Sequence, residues 1–307
     1  MVKPNLIRRS VVPITPSATE WPTVILIALN WLAFFALTWF YHSIPWWLVL
    51  PLGAYILTLF GSLQHEVLHG HPTSNPILNE SLIFPNIALW TPYTIYKSTH
   101  LKHHVNEQLT DPQLDPESYY ITTEKWLRHP SWIKAYYRFY NTYVGRFFWG
   151  PVHVIAMLWI SEIRTIFSGN IQAMRPWVIH AFACLPVFYW VVIVCRIPLW
   201  QYAVLFVYSS ISLTLLRSFV EHQAVENVAE RSIIVETNPL VSLMYLNNNL
   251  HAIHHKDPHL AWFRIPWIWQ NDRSGVLTEN GHYYFKGYRS IIFRYWKTPK
   301  EQPNHPL

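Results

Sequence analysis

Four stretches of this chain are apolar almost without interruption: residues 22–41, 44–63, 177–195 and 197–220. A helix needs about 20 such residues to cross the hydrocarbon core of a bilayer, so each stretch is long enough to span one. The joins within each pair are short, YHSIPWW and CRIPLW, which predicts two helical hairpins. Residues 64–176 and 221–307 instead mix polar and apolar positions and carry most of the charged side chains, as expected of a helical cap outside the membrane. Within that cap the aromatic, moderately basic stretch 126–167 predicts an amphipathic helix lying flat in the interface. A fifth span over 147–167 is the alternative, and Pro151, His153, Glu162 and Arg164 weigh against it. The expected fold is all-α and polytopic.

Composition sharpens this picture. Charged residues make up only 13% of the 307 residues, about half the usual share in soluble proteins, and there are 17 Trp. Few charges and many Trp and Tyr suit a chain held in lipid with aromatic belts at the interfaces. A mean hydropathy of only +0.10 requires a large polar part outside the membrane. The net charge of +6 comes from scattered Lys and Arg with no dense run, which argues against a nucleic-acid partner. Cys184 and Cys195 both lie in apolar sequence and form no disulfide framework or iron–sulfur spacing. The first twenty residues lack the layout of a removable signal peptide.

Charge also orients the hairpins. Lys3, Arg8 and Arg9 precede the first span, the first join has no Lys or Arg, and the second has only Arg196. The other basic residues fall at 97–175 or from Arg217 onward. The positive-inside tendency then places both termini and the middle segment in the cytoplasm.

Nine histidines now stand out: His65 and His69 in HEVLH, His100, His103 and His104 in HLKHH, His222 in VEHQA, and His251, His254 and His255 in HAIHH. All nine fall on the predicted cytoplasmic side. Residues three or four apart share a helix face, so each box aims imidazoles at a point, and adjacent histidines reach two different points. Histidine is the commonest side-chain ligand of borderline metals, and nine donors are too many for one ion. Structural zinc takes four ligands, often thiolates, so nine imidazoles without thiolate fit a redox-active iron pair open to dioxygen. His42, His71, His129, His153, His180, His259, His282 and His305 are read as structural, although His71 stands two residues after His69.

Two rival readings use the same residues. HEVLH matches the HExxH helix of zinc proteases, in which Glu66 would activate water beside His65 and His69. That leaves the other boxes without a task. A metal transporter would place its ligands at the bilayer midplane, where these spans hold almost no ionisable residue.

The three boxes, in type, order and spacing relative to the spans, resemble those of the membrane fatty-acid desaturase and hydroxylase superfamily over about residues 20–270. The stretch from RSFVEHQA through NNNLHAIHH looks most like bacterial desaturase-like oxygenases, and the Glu-His pair of VEHQA resembles the extra ligand of the alkane-hydroxylase branch. The resemblance implies a single desaturase-like domain over 1–307 that holds two iron ions as cofactor and uses dioxygen as co-substrate, with attack on an unactivated C–H bond of a fatty acyl or other lipid-like substrate. An alkane or a small non-lipid metabolite is the alternative substrate. A bacterial inner membrane is the implied location. HEVLH has three residues between its histidines rather than the four of the acyl-CoA branch. The chain carries neither a cytochrome-b5-like HPGG nor rubredoxin cysteines, so electrons are expected from a separate ferredoxin, rubredoxin or cytochrome b5 with its reductase.

A ligating histidine needs its second ring nitrogen held by an acceptor. Glu66, Glu107, Asp111, Asp115, Glu117, Glu221 and Asp257 all stand within fifteen residues of a box and are candidates. Asn247, Asn248 and Asn249 directly precede HAIHH, where an asparagine could cap the helix or hold a metal-bound water, and Asn249 is included among the candidates. Aromatic residues in 90–100 and 136–149 are candidates to line a substrate tunnel.

Overall fold

A computed structural model describes residues 16–105, 107 and 109–307. Lys3, Arg8 and Arg9, on which the placement of the N-terminus rests, lie outside the described residues. In chain order the helices are α1 (Trp21–Trp39), α2 (Trp46–Leu68), α3 (Pro76–Leu82), α4 (Tyr93–Val105), α5 (Thr123–Arg128), α6 (Ser131–Tyr140), α7 (Gly145–Phe167), α8 (Ile171–Val194) and α9 (Leu199–Glu221). They continue with α10 (Pro239–Met244), α11 (His251–Lys256), α12 (Ile265–Asn271), α13 (Arg273–Glu279) and α14 (Tyr288–Tyr295). Two short strands, β1 (Ile234–Glu236) and β2 (Tyr284–Lys286), pair in parallel with Ile234 opposite Tyr284. The protein is all-α and polytopic as expected, with α1, α2, α8 and α9 each long and apolar enough to cross a membrane.

The spans depart from the expected bounds in an informative way. The second stretch, expected to end at residue 63, stays helical to Leu68. Its 23 residues rise about 35 Å, more than the roughly 30 Å of bilayer hydrocarbon, so its last turn carries His65 beyond the core. The third starts at Ile171 rather than 177 because a single turn leads directly into the helix.

Helix α2 packs between α1 and α9. Gly53 allows the close approach, since a Cβ there would sit 2.8 Å from the Phe206 ring. Phe34, Phe60, Tyr202 and Phe206 fill the core between these helices. Lipid is as apolar as these side chains, so burial alone does not drive helices together, and close packing and polar links carry more weight. Asn30 Nδ2 donates to Ile56 O at 3.0 Å and Trp190 Nε1 to Thr38 Oγ1 at 2.9 Å. Links of this kind contribute about 0.6 kcal/mol each. The outer faces expose Leu29, Leu32, Leu52, Leu185 and Ile193, with Trp39, Trp46 and Trp200 toward the ends. So broad an apolar surface belongs in lipid rather than water.

The single flat helix expected over 126–167 is corrected to three pieces. Pro130 separates α5 from α6, and α6 meets α7 at 95°. The second break needs a glycine: a Cβ on Gly145 would lie 2.0 Å from the Phe139 carbonyl oxygen. The bent α6–α7 pair is together apolar and long enough to count as one broken span, so among the described residues four helices are long and apolar enough to cross a membrane, or five spans with that pair.

Candidate metal centre

Four pieces of chain deliver the histidines to one end of the bundle. The last turn of α2 carries His65, and His69 closes the helix as its C-cap residue. The final turns of α4 carry His100, His103 and His104. His222 follows α9 in an extended conformation and bridges antiparallel to Ser232. Its carbonyl accepts from Tyr119 OH at 2.9 Å and from Lys300 Nζ. Helix α11, with His251, His254 and His255, is seated by the β1 segment: Val235 N donates to Asn249 O at 2.8 Å and Ala252 N to Ile233 O at 3.0 Å. That segment is tied to the spans in turn, through Tyr283 OH on Val220 O (2.6 Å) and Ser62 Oγ on Met244 O (2.8 Å).

The nine side chains resolve into two groups. His65, His69, His100, His104 and His254 form one; His103, His222, His251 and His255 form the other. Within each group the candidate ligand atoms lie within 4.8 Å of one another. The boxes are shared out as helix geometry requires: HLKHH gives its first and last histidines to one group and the middle one to the other, and HAIHH divides likewise. His104 Nε2 lies 3.0 Å from the Nε2 of both His100 and His254, and His222 Nε2 lies 3.1 Å from that of His251.

These residues fit metal ions. Imidazole nitrogens facing one another at hydrogen-bond distance cannot all carry protons, and the lone pairs that converge are what a cation requires. Both ring nitrogens of His69, Nδ1 of His104 and Nε2 of His255 are buried with no hydrogen-bond partner. Each such orphan costs about 1–3 kcal/mol, a cost that ligation removes where the free nitrogen faces the ion. Burial, reinforced by neighbouring imidazoles, holds His69, His104, His254 and His255 well below the ordinary histidine range. The same causes lower His222 and His251, with Lys300 and Arg217 also contributing. Neutral at pH 7, these rings keep a lone pair for a metal.

The outer nitrogens identify the supporting residues. His100 Nδ1 donates to Glu117 Oε1 at 2.9 Å, and His103 Nδ1 to Asp115 Oδ1 at 2.8 Å. Burial would raise the Glu117 carboxyl, but His100 and His103 outweigh it and hold it down to about 2. Burial would likewise lower His103, yet Glu117 and Asp115 outweigh it and raise the ring. His251 Nδ1 donates to Asn248 Oδ1 at 2.8 Å, with Glu221 Oε1 farther off at 3.6 Å and engaged by Arg217 at 2.8 Å.

Several expected partners are elsewhere. Glu66 turns away from the histidines and accepts from Trp262 N at 2.9 Å, beside His71 and Glu20. Asp111 closes its own turn by accepting from Gln113 N and Leu114 N. Asn249 donates to Val235 O, and Leu250, without a side-chain cap, precedes α11, so no asparagine caps that helix. Glu107 and Asp257 are exposed on the wall of a cavity of about 550 Å³ that His103, His104 and His255 also line. Sequence reasoning missed Ser232, whose Oγ lies 3.3 Å from His222 Nδ1, and did not foresee that His259, read as structural, lies with its Nδ1 3.3 Å from His69 O. Neither carries a local signal, because strand register and loop path bring both in.

The family model described as fatty acid desaturase matches residues 41–288. Among curated proteins, none matches the chain.

Proposed function

The chain belongs to the fatty acid desaturase family and is a membrane oxidoreductase of the desaturase and hydroxylase type, and from that premise we propose a di-iron, dioxygen-dependent enzyme that attacks an unactivated C–H bond of a fatty acyl or other lipid-like substrate. The observation that carries the reading is the division of nine histidines into groups of five and four. His65, His69, His100, His104 and His254 hold one iron; His103, His222, His251 and His255 hold the other. An iron pair supplies the reduction of dioxygen and the oxidising power for C–H attack.

The chain's own residues do the rest. Asp115, Glu117 and Asn248 fix the tautomer of their histidines by accepting from Nδ1, which leaves Nε2 free as a donor. The spans bury the site and bring it to lipid. A separate ferredoxin, rubredoxin or cytochrome b5 supplies electrons, both termini face the cytoplasm of a bacterial inner membrane, and residues 1–307 act as one domain. The zinc-protease reading loses its base, because Glu66 is bonded to Trp262 N instead of facing the cluster. A midplane transporter is disfavoured because His65, His69 and His222 stand at the ends of spans and the other six histidines lie on helices outside them.

Metal analysis of the detergent-purified protein, with His100→Ala and His254→Ala, tests the proposal. About two irons per chain before substitution, with dioxygen-dependent activity lost in both variants, is the expected result. One zinc surviving both substitutions would overturn it. Lipid profiling of expressing cells then separates the outcomes, since desaturation removes two hydrogens and hydroxylation adds one oxygen.

A further inference from the structure

A small cavity of about 80 Å³ lies where the histidine-bearing end of α2, the start of α4 and the first turns of α8 meet. Gln64, Tyr93 and Thr94 line it. Gln64 Nε2, Tyr93 OH and Thr94 Oγ1 are all buried without a hydrogen-bond partner. Gln64 itself is only 4% exposed. Three orphaned polar groups on one small cavity are an unfavourable arrangement unless something fills it.

Their chemistry narrows what fits. An amide N–H and two hydroxyls donate to an oxygen acceptor, and the hydroxyls can also accept. No Lys or Arg lines the cavity, and the carboxylate on its wall, Glu80, is already paired with Lys97 at 2.6 Å. An anionic head would therefore meet a carboxylate and no free cation, whereas a hydrocarbon end would leave all three groups unsatisfied. The volume admits a few heavy atoms but no bulky head group. Phe84 and Ile179, also on the wall, are 47% and 41% exposed, so the mouth is apolar.

The position relates this cavity to the histidines. Gln64 immediately precedes His65, and Tyr93 stands seven residues before His100, two turns along the same face of α4 or about 10 Å. We propose that Gln64, Tyr93 and Thr94 form an anchoring subsite for a neutral oxygen-bearing end, a hydroxyl or carbonyl, of a long-chain lipid substrate. The subsite would hold that end at a set distance from the histidine cluster, so the carbon attacked lies several bonds from the oxygen. The proposal rests on reading the cluster as the oxidising centre.

The test uses the full chain, iron-loaded, in lipid nanodiscs, with radiolabelled 1-dodecanol, 2-dodecanone, dodecanoate and n-dodecane as probes and empty discs subtracted. The alcohol or the ketone is expected to bind more tightly than the alkane and the carboxylate. Tyr93→Phe and Thr94→Val, which keep shape, are each expected to weaken that binding roughly three- to tenfold and leave the alkane unchanged. Gln64→Leu supplies a third, independent loss. Equal binding of all probes, preference for dodecanoate, or variants that weaken alkane and alcohol alike would each overturn the subsite. Iron content and dioxygen uptake on the same discs separate the two claims. Two irons without alcohol or ketone preference sinks the subsite alone, and a preference lost in Tyr93→Phe without iron sinks the oxidation centre alone.

Discussion

The two histidine groups are built on different plans. The five-nitrogen group draws both histidines from the end of α2, and helix packing alone braces much of it: His69 has no partner on either ring nitrogen and His104 none on Nδ1. The four-nitrogen group has fewer donors but firmer surroundings. Asp115, Ser232 and Asn248 sit on the outer nitrogens of His103, His222 and His251. One group has a spare donor; the other has three of its four donors held by an outer partner. The four-nitrogen group should therefore be the less tolerant of the two, both to losing a ligand and to losing a supporting residue.

The largest expected effect sets ligand loss in one group against the other. His222→Ala leaves three nitrogens, and iron is expected to fall from about two to about one per chain with activity lost. The carbonyl contacts of residue 222 with Tyr119 and Lys300 are backbone contacts and survive the change. His69→Ala leaves four nitrogens, the number in the intact second group, and is expected to retain most of its iron at saturating metal. Metal analysis of both variants checks this, and equal loss from the two would break the comparison.

How much of this centre was legible in the sequence follows from the same contrast. Spacings of three and four within a helix fix which histidines share a face, so nine candidates aimed at more than one point could be read directly, whereas their sorting into groups of five and four is seen only in the structure. The spans were legible because lipid imposes length and apolarity together. The supporting acids were not, because nearness in sequence does not fix a loop. Asp111 and Asp115 are equally plausible on the page, yet only Asp115 is folded back onto His103, by a turn in which it also accepts from Thr110 N at 2.8 Å and Thr110 takes a φ of 77°. Asn248 rather than Asn249 reaches His251 because the backbone at 249 is committed to β1. The bend between α6 and α7 depended on how closely Gly145 approaches a carbonyl six residues earlier, which periodicity cannot reveal.

The next effect sets the two carboxylate partners against each other. The Asp115 side chain is 1% exposed and that of Glu117 32%. Asp115→Asn removes a charge from a place water cannot reach, and metal affinity at the four-nitrogen group is expected to fall about 10–100-fold. Glu117→Gln acts where water can take over the bond to His100, and the expected loss at the five-nitrogen group is at or below the low end of that range. Competition with a chelator of known affinity measures both. A larger loss in Glu117→Gln would reverse the assignment of firmness to the second group.

Acid should release the two metals in order. In the metal-free protein Glu117 and Asp115 raise His103 above the ordinary value near 6.5, so this ring takes up a proton first as pH falls. A ligand must be deprotonated to bind, and below the His103 pKa affinity at the four-nitrogen group is expected to drop about tenfold per pH unit. His69, His104 and His254 are lowered instead, so protons compete for them only at lower pH. The same lowering makes folding favour their neutral forms, a contribution present above the unfolded value near 6.5 and lost as pH falls toward the folded ones. Iron retained after dialysis between pH 7.5 and 5 should therefore leave in two steps, the four-nitrogen group first. A single step would remove the distinction.

The smallest effect isolates one hydrogen bond. Ser232 Oγ and His222 Nδ1 are 3.3 Å apart, at the long end of a real bond. The backbone ties around them, Gln223 N to Arg231 O and Ile233 N to Glu221 O, both at 3.0 Å, do not involve the hydroxyl. Ser232→Ala thus removes the side-chain partner and leaves the strand bridge intact. A loss of roughly two- to fivefold in metal affinity at the four-nitrogen group is expected, as for one weak neutral hydrogen bond. A loss as large as that of Asp115→Asn would mean that His222 is held by its outer nitrogen as firmly as His103. No loss would mean that the bridge to Ser232 alone orients it, and that the order of the second group comes from backbone at His222 and from side chains at His103 and His251.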